Sequence, residues 1–120
     1  MTETSAGPRY DLEDRTYQFA KDVRTFVKKL PRTICTQEDG RQLVRASGSV
    51  GANYIEANEA LSRKDFVMRI KICRKESKES RYWLRLLDTS AGPLDIERNR
   101  LIQESDELMR IFAAILRKSE

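Results

Sequence analysis

The chain has 120 residues, which is the size of one folded domain. Hydrophobic residues make up 39% of it and charged residues 35%, and the mean hydropathy is −0.65, so we expect a core beneath a densely charged surface. The longest apolar run, residues 112–116, is far shorter than the ~20 residues of a membrane span. Residues 1–8 also lack the features of a secretion signal. The sequence therefore predicts a cytoplasmic protein that makes no membrane contact, with Cys35 and Cys73 as reduced thiols.

The absence of histidine excludes most familiar catalytic sites. Histidine is the commonest metal ligand and the usual general base near neutral pH, so catalytic triads, Cys-His pairs and imidazole-ligated zinc sites are excluded. The glycine-rich loops that bind nucleotide phosphates, G-x-G-x-x-G and G-x-x-x-x-G-K-[ST], are also absent. We therefore expect a binding or assembly protein without catalytic residues, cofactor or metal.

Apolar residues recur at spacings of four and three along four segments, which predicts four amphipathic helices. The first helix runs from Asp11 to Leu30 and stops before Pro31. Gly40 is an expected helix break, and the second helix is predicted to start near Thr36, a plausible N-cap. Its inward series is Leu43, Ser47, Val50, Tyr54, Ala57 and Leu61.

Ser62 and Asp65 form a capping-box-like pattern at the start of a third helix, which we expect to end near Ser90. Its inward series is Phe66, Ile70, Cys73, Ser77, Ser80, Leu84 and Leu87. The fourth helix is expected from about Asp95, after Gly92 and Pro93.

No strand pattern competes with these helices. Four helices of about 20–25 residues joined by short connections predict an all-α fold, an antiparallel up-down-up-down four-helix bundle. Residues 11–120 would form this single domain, and residues 1–10 a flexible N-terminus. Two glycines inside the second helix, Gly48 and Gly51, indicate either close approach of another helix or a kink.

Three stretches resemble a known family: residues 49–57 (SVGANYIEA), 62–66 (SRKDF) and 74–84 (RKESKESRYWL). The chain resembles the bacterial four helix bundle proteins, also called the 23S ribosomal RNA intervening-sequence proteins. Many members carry N-I-A-E-G where this chain has N-Y-I-E-A at residues 53–57. The resemblance implies a homo-oligomer, typically a pentameric ring, and it supplies no catalytic residues. The family is similar to the accessory proteins of diversity-generating retroelements, which bind a reverse transcriptase and nucleic acid.

Positive charge is concentrated on the third helix. Residues 63–85 carry a net charge of +6, whereas the rest of the chain carries −2. Opposite the inward series lies the basic stripe, which consists of Lys64, Met68, Lys71, Lys75, Lys78, Tyr82 and Arg85. Like charges four residues apart weaken a helix, so helix stability does not explain this pattern.

The alternatives for the function of the basic stripe are binding of RNA or DNA, docking of an acidic protein partner, and a solvated face. Nucleic-acid binding would use the six stripe residues Lys64, Lys71, Lys75, Lys78, Tyr82 and Arg85, together with Arg74 and Arg81.

An apolar flank beside the inward series contains Ile72, Trp83 and Leu86. Either a neighbouring helix or a second subunit would cover it, and tryptophan is enriched at interaction hot spots. We therefore predict an oligomer interface at Gly48, Gly51, Ile72, Trp83 and Leu86, with Trp83 as a core residue as the alternative.

Glu76, Glu79 and Glu56 resemble part of a carboxylate metal site. Helix-bundle di-metal sites of this kind also use histidine, which this chain lacks, so ion pairs with a neighbouring helix are favoured. Asn53 would hydrogen-bond either the third helix or another subunit.

Overall fold

The computed structural model describes residues 12–119, so the predicted flexible segment 1–10 lies outside the described residues. Within this range the chain forms four α-helices and no strand: α1 (Leu12–Lys28), α2 (Ile34–Asn58), α3 (Arg63–Leu86) and α4 (Pro93–Ser119). Successive helices pack side by side in opposite directions, and α4 returns to contact α1. The predicted all-α, antiparallel four-helix bundle is confirmed.

The helix starts show one prediction that is right and one that is wrong. Ser62 caps α3 as predicted, because its side chain accepts a hydrogen bond of 3.0 Å from the backbone N–H of Asp65. The N-cap of α2, however, is Thr33, and Thr36 is its capping-box partner, accepting a bond from the Thr33 N–H at 3.0 Å. The helix therefore begins three residues earlier than expected, and Cys35 lies exposed in its first turn.

Three predicted helix boundaries differ from those in the structure. Gly40 does not break a helix; it lies buried inside α2, where an added Cβ would meet the Val27 side chain at 3.3 Å. The third helix ends at Leu86 and not near Ser90, because Leu87 adopts an extended conformation that returns its side chain to the core. Arg98 of α4 stabilises this end by donating a 2.8 Å hydrogen bond to the Leu87 carbonyl. The fourth helix begins at Pro93, two residues before the expected start.

The core confirms nearly all of the inward positions. Leu43, Val50, Ile70, Leu84 and Phe112 are completely buried. Leu61 is the clear error, since α2 ends at Asn58 and leaves the Leu61 side chain fully exposed in the connection.

Small hydroxyl side chains form part of the same buried face. Thr16 of α1, Ser47 of α2, Ser77 of α3 and Ser105 of α4 are all buried, and each donates a hydrogen bond to a carbonyl one turn earlier in its own helix. Their polar groups are therefore satisfied without a partner on another helix, which permits burial among apolar side chains. Within residues 12–119 no helix is both long enough and apolar enough to span a membrane.

Candidate functional site on the third helix

The core orients α3 by burying one face of it against α2 and α4. Cys73 is completely buried, and its Sγ lies 3.4 Å from the Val50 carbonyl oxygen on α2. Burial raises the pKa of the Cys73 thiol to about 12, so the sulfur stays protonated near neutral pH. A protonated, buried thiol is a poor nucleophile, which agrees with its predicted role as a small core residue.

The opposite face of α3 is the basic stripe, and all seven of its side chains are exposed. This confirms the orientation that the sequence predicts. None of its five cations lies within 4.0 Å of a carboxylate among residues 12–119. Tyr82 is 55% exposed and presents the one aromatic ring of the stripe to solvent. The stripe is thus an exposed basic surface whose cations form no ion pair with the described part of the protein.

The two remaining candidate cations, Arg74 and Arg81, point toward α4. Arg74 is exposed, whereas Arg81 donates from Nη1 to Asp106 Oδ1 at 2.7 Å and is 30% exposed. Asp106 also accepts a 2.8 Å bond from Arg110 Nε, and the two guanidinium groups hold the pKa of the Asp106 carboxyl below its usual range. Arg81 is therefore engaged in an ion pair between helices.

A groove between α3 and α4 extends the basic surface beyond the residues that the sequence singles out. This α3–α4 groove has a volume of about 770 Å³ and is lined by five cations, Arg74, Lys75, Lys78, Arg110 and Arg117, together with Met109 and Ala113. Sequence reasoning missed Arg110 and Arg117, since they become neighbours of Lys78 and Arg74 only through the antiparallel packing of α4 on α3. Their one local signal is that residues 108–119 of α4 include basic but no acidic side chains.

Two of the three acidic residues of α3 face the other way, toward α2. Glu76 and Glu79 line a cleft of about 280 Å³ with Arg45 and Lys75. Burial and the neighbouring Glu79 carboxylate raise the pKa of Glu76. Among residues 12–119 no three metal-ligating side chains come together.

Asn53 makes its contacts inside the bundle. Arg69 of α3 donates from Nη1 to Asn53 Oδ1 at 3.0 Å, and Asn53 in turn donates to the Ser49 carbonyl at 2.9 Å. Of the two alternatives, the structure supports a bond to the third helix.

The predicted interface residues divide into two groups. Gly48 and Gly51 lie within α2, which continues unbroken through both positions. Gly51 faces Thr16 of α1, and Gly48 faces the Arg24 side chain. The close approach that the two glycines indicate is thus made within the chain. On α3, Ile72 and Trp83 are half-buried and Leu86 is 49% exposed. Trp83 packs on the core and, edge to face, on Tyr82, with ring centroids 5.1 Å apart.

These features define a small all-helical bundle protein with a basic third helix. The chain belongs to the 23S rRNA-intervening sequence protein family, whose model matches residues 10–114. This confirms the family resemblance; the further likeness to retroelement accessory proteins stays a prediction.

A solved structure supports the same assignment. The chain is similar to a protein of unknown function from the S23 ribosomal protein family of Bacteroides thetaiotaomicron, with 26% sequence identity and a TM-score of 0.73. The match covers 87% of this chain and 96% of that one. No curated protein matches the sequence.

Proposed function

We propose that the protein is a non-enzymatic, cytoplasmic homo-oligomer that binds RNA through the basic stripe of α3. The observation that carries the proposal is that all seven side chains of this stripe are exposed and that no carboxylate lies within 4.0 Å of its cations among residues 12–119. Five cations on one helix face repel one another, and that repulsion is relieved when a polyanion binds.

The chemistry of the stripe suits a nucleic-acid backbone. Lysine and arginine side chains neutralise phosphates and release the counterions condensed on them, which makes such binding strongly salt-dependent and largely independent of sequence. The exposed Tyr82 ring offers a surface on which a base can stack. The family description names 23S rRNA, which favours RNA over DNA as the ligand.

Exposed apolar side chains support self-association. Leu86 and Tyr82 are about half exposed at one end of α3, beside the half-buried Trp83. Ile55 of α2 and Met68 of α3, which sequence reasoning did not assign to an interface, are also about half exposed. Association through such surfaces, with five copies as the family resemblance implies, would repeat the basic stripe and increase RNA affinity through effective concentration.

Charge reversal on the stripe tests RNA binding. We expect Lys71→Glu, Lys75→Glu and Lys78→Glu together to abolish binding of a fluorescent RNA at about 50 mM salt, measured by anisotropy, because three phosphate contacts become repulsive. The bundle should remain folded, since all three side chains are exposed. The matched control reverses three exposed cations elsewhere, Lys21, Lys28 and Arg32, with the same change in net charge. Equal binding by both triple variants and the wild type would contradict the proposal, as would absence of binding by the wild type.

A second candidate function is an oligomeric adaptor whose basic face docks an acidic protein. The observation that favours it is the apolar group of Tyr82, Trp83 and Leu86 next to the stripe, because protein interfaces combine aromatic anchors with charge. If the wild type binds polyglutamate but no RNA, and the Lys71, Lys75 and Lys78 variant binds neither, this adaptor function replaces the first.

A further inference from the structure

We infer that the α3–α4 groove holds a single strand of RNA by its phosphodiester backbone, so that Arg110 and Arg117 of α4 belong to the RNA-binding surface. This inference rests on the proposed function and extends it to a second helix. It also specifies the form of the ligand, one strand and not a duplex.

The charge of the groove is the first argument. Five cationic side chains line it without a carboxylate, and they come from two helices that are separate in sequence. Arg117 lies in the last turn of α4, where a cation is favoured by the helix dipole. The dipole effect falls off within one turn. It therefore does not explain why a cation stands at Arg110, about two turns earlier, or at Arg74 and Lys78 in the middle of α3.

The shape of the groove is the second argument. Packed helices have axes 8–10 Å apart, so the furrow between α3 and α4 is narrower than a nucleic-acid duplex and admits one strand. Arg110 and Arg117 are separated by about 10 Å along α4, since an α-helix rises 1.5 Å per residue. Met109 and Ala113 add apolar surface to the groove, with Ala113 between the two arginines along α4, and this surface is suited to contact with sugar or base.

Asp106 positions one of the two arginines. Its Oδ2 accepts from Arg110 Nε at 2.8 Å, which orients the guanidinium and leaves both Nη groups free of that bond. The Arg110 side chain is 74% exposed, so this ion pair restrains the guanidinium without covering it. A restrained arginine loses less conformational freedom when it binds a phosphate.

The experiment compares three double variants of the full chain by anisotropy with a fluorescent 20-nucleotide oligouridylate. The groove variant is Arg110→Gln with Arg117→Gln. The control on the same helix is Arg100→Gln with Lys118→Gln, two exposed cations outside the groove. The stripe variant is Lys71→Gln with Arg85→Gln, which removes two cations of the proposed function that do not line the groove. All three variants lose the same net charge.

We expect the groove variant to bind at least about fivefold more weakly than the wild type at 0.1 M salt. The plot of log K against log salt concentration should become shallower, with a slope smaller in magnitude by about 1.4, since each lost contact to a single strand removes about 0.7. The α4 control should bind within about twofold of the wild type. Duplex RNA of equal length should compete poorly with the single strand for the groove, and the groove variant should lose this preference.

The outcomes separate the inference from the proposed function. If the stripe variant loses affinity while the groove variant binds like the wild type, the groove inference is wrong and the proposed function stands. If neither the groove variant nor the stripe variant differs from the wild type, or if the wild type binds no RNA, the groove inference and the proposed function are both wrong. If the groove variant loses polyglutamate binding but keeps RNA binding, the groove is a protein site and the inference is overturned. Should loss of the Asp106–Arg110 ion pair destabilise the double variant, Arg117→Gln alone gives the test, with an expected slope change of about 0.7.

Discussion

Gly51 of α2 faces Thr16 of α1 so closely that a Cβ at position 51 would lie 3.0 Å from the Thr16 hydroxyl oxygen. Thr16 is completely buried, and its hydroxyl already bonds the carbonyls of Leu12 and Glu13. Movement of the Thr16 side chain away from position 51 would therefore break these hydrogen bonds inside the core. At Gly48 the nearest atom is Arg24 Nη2, at 3.1 Å, the far end of a flexible side chain.

This difference predicts opposite effects for two similar substitutions. Alanine is favoured over glycine in a helix by about 1 kcal/mol. We expect Gly48→Ala to raise the free energy of unfolding by about 0.5 kcal/mol, because Arg24 can move aside. Gly51→Ala should be less stable than Gly48→Ala by about 1 kcal/mol or more, since the contact with Thr16 offsets the helix preference. Guanidinium denaturation measures both, and equal stabilisation by the two alanines would contradict the packing of α1 on α2.

A second prediction concerns the ion pair that joins α1 to α4. Arg15 donates from Nε and Nη2 to the two oxygens of Glu104 at 2.7 and 2.8 Å, and from Nη2 to Glu107 at 2.8 Å. Lysine cannot reproduce this forked geometry. We expect Arg15→Lys to lower the free energy of unfolding by about 0.5–1.5 kcal/mol, with a smaller loss at high salt. Arg100→Lys is the control, because Arg100 makes no ion pair within residues 12–119. An equal loss of unfolding free energy in this control would show that the forked ion pair of Arg15 does not stabilise the protein.

The raised pKa of Glu76 predicts how stability depends on pH. Burial and the Glu79 carboxylate favour the protonated form of Glu76 in the folded state. The resulting stabilisation is fully present below the unfolded-state pKa of about 4.3, and it is lost as the pH rises through the folded-state pKa. At pH 7 the ionised Glu76 is therefore unfavourable, and Glu76→Gln should raise the Tm.

The control for this prediction is Glu56→Gln, which alters an exposed carboxylate on α2. We expect the advantage of Glu76→Gln over the wild type to diminish below about pH 4, where the wild-type carboxyl is protonated as well. A Tm difference that is constant from pH 3 to pH 7 would show that the effect comes from packing and not from ionisation.

A fourth prediction distinguishes the residues on the apolar flank of α3 that pack on the core from those that would contact another subunit. Trp83 packs on the core, whereas Leu86 is 49% exposed. We expect Trp83→Ala to lower both the Tm and the mass of the oligomer, because Trp83 packs on the core. Leu86→Ala should lower the mass with little change in Tm, because the exposed Leu86 side chain loses less packing within one chain. Light scattering and thermal denaturation measure the two effects. A wild-type mass of 14.0 kDa at micromolar concentration would contradict self-association, and an unchanged oligomer in Trp83→Ala would assign Trp83 to the core alone.

The helices and their inward faces could be predicted from the sequence because both depend on residues close together in the chain. The spacing that places Val50 and Leu84 inward is a property of one helix, as is the spacing that places Lys75 outward, and all three positions are confirmed. Helix ends were predicted less well. Leu61 and Ser90 continue the pattern of the preceding helix, but the chain leaves the helical conformation before it reaches them.

The sequence by itself determined the helical fold, the family and the outward direction of the basic stripe. Only the tertiary structure decided which charges are neighbours. Arg81 meets Asp106, and Arg110 and Arg117 line the groove with Lys78, although these residues are about 25 to 40 positions apart in the chain. Such pairs depend on the register of α4 against α3 and on the reach of each side chain. No local period encodes that register; it is set by how the buried faces of the two helices fit together.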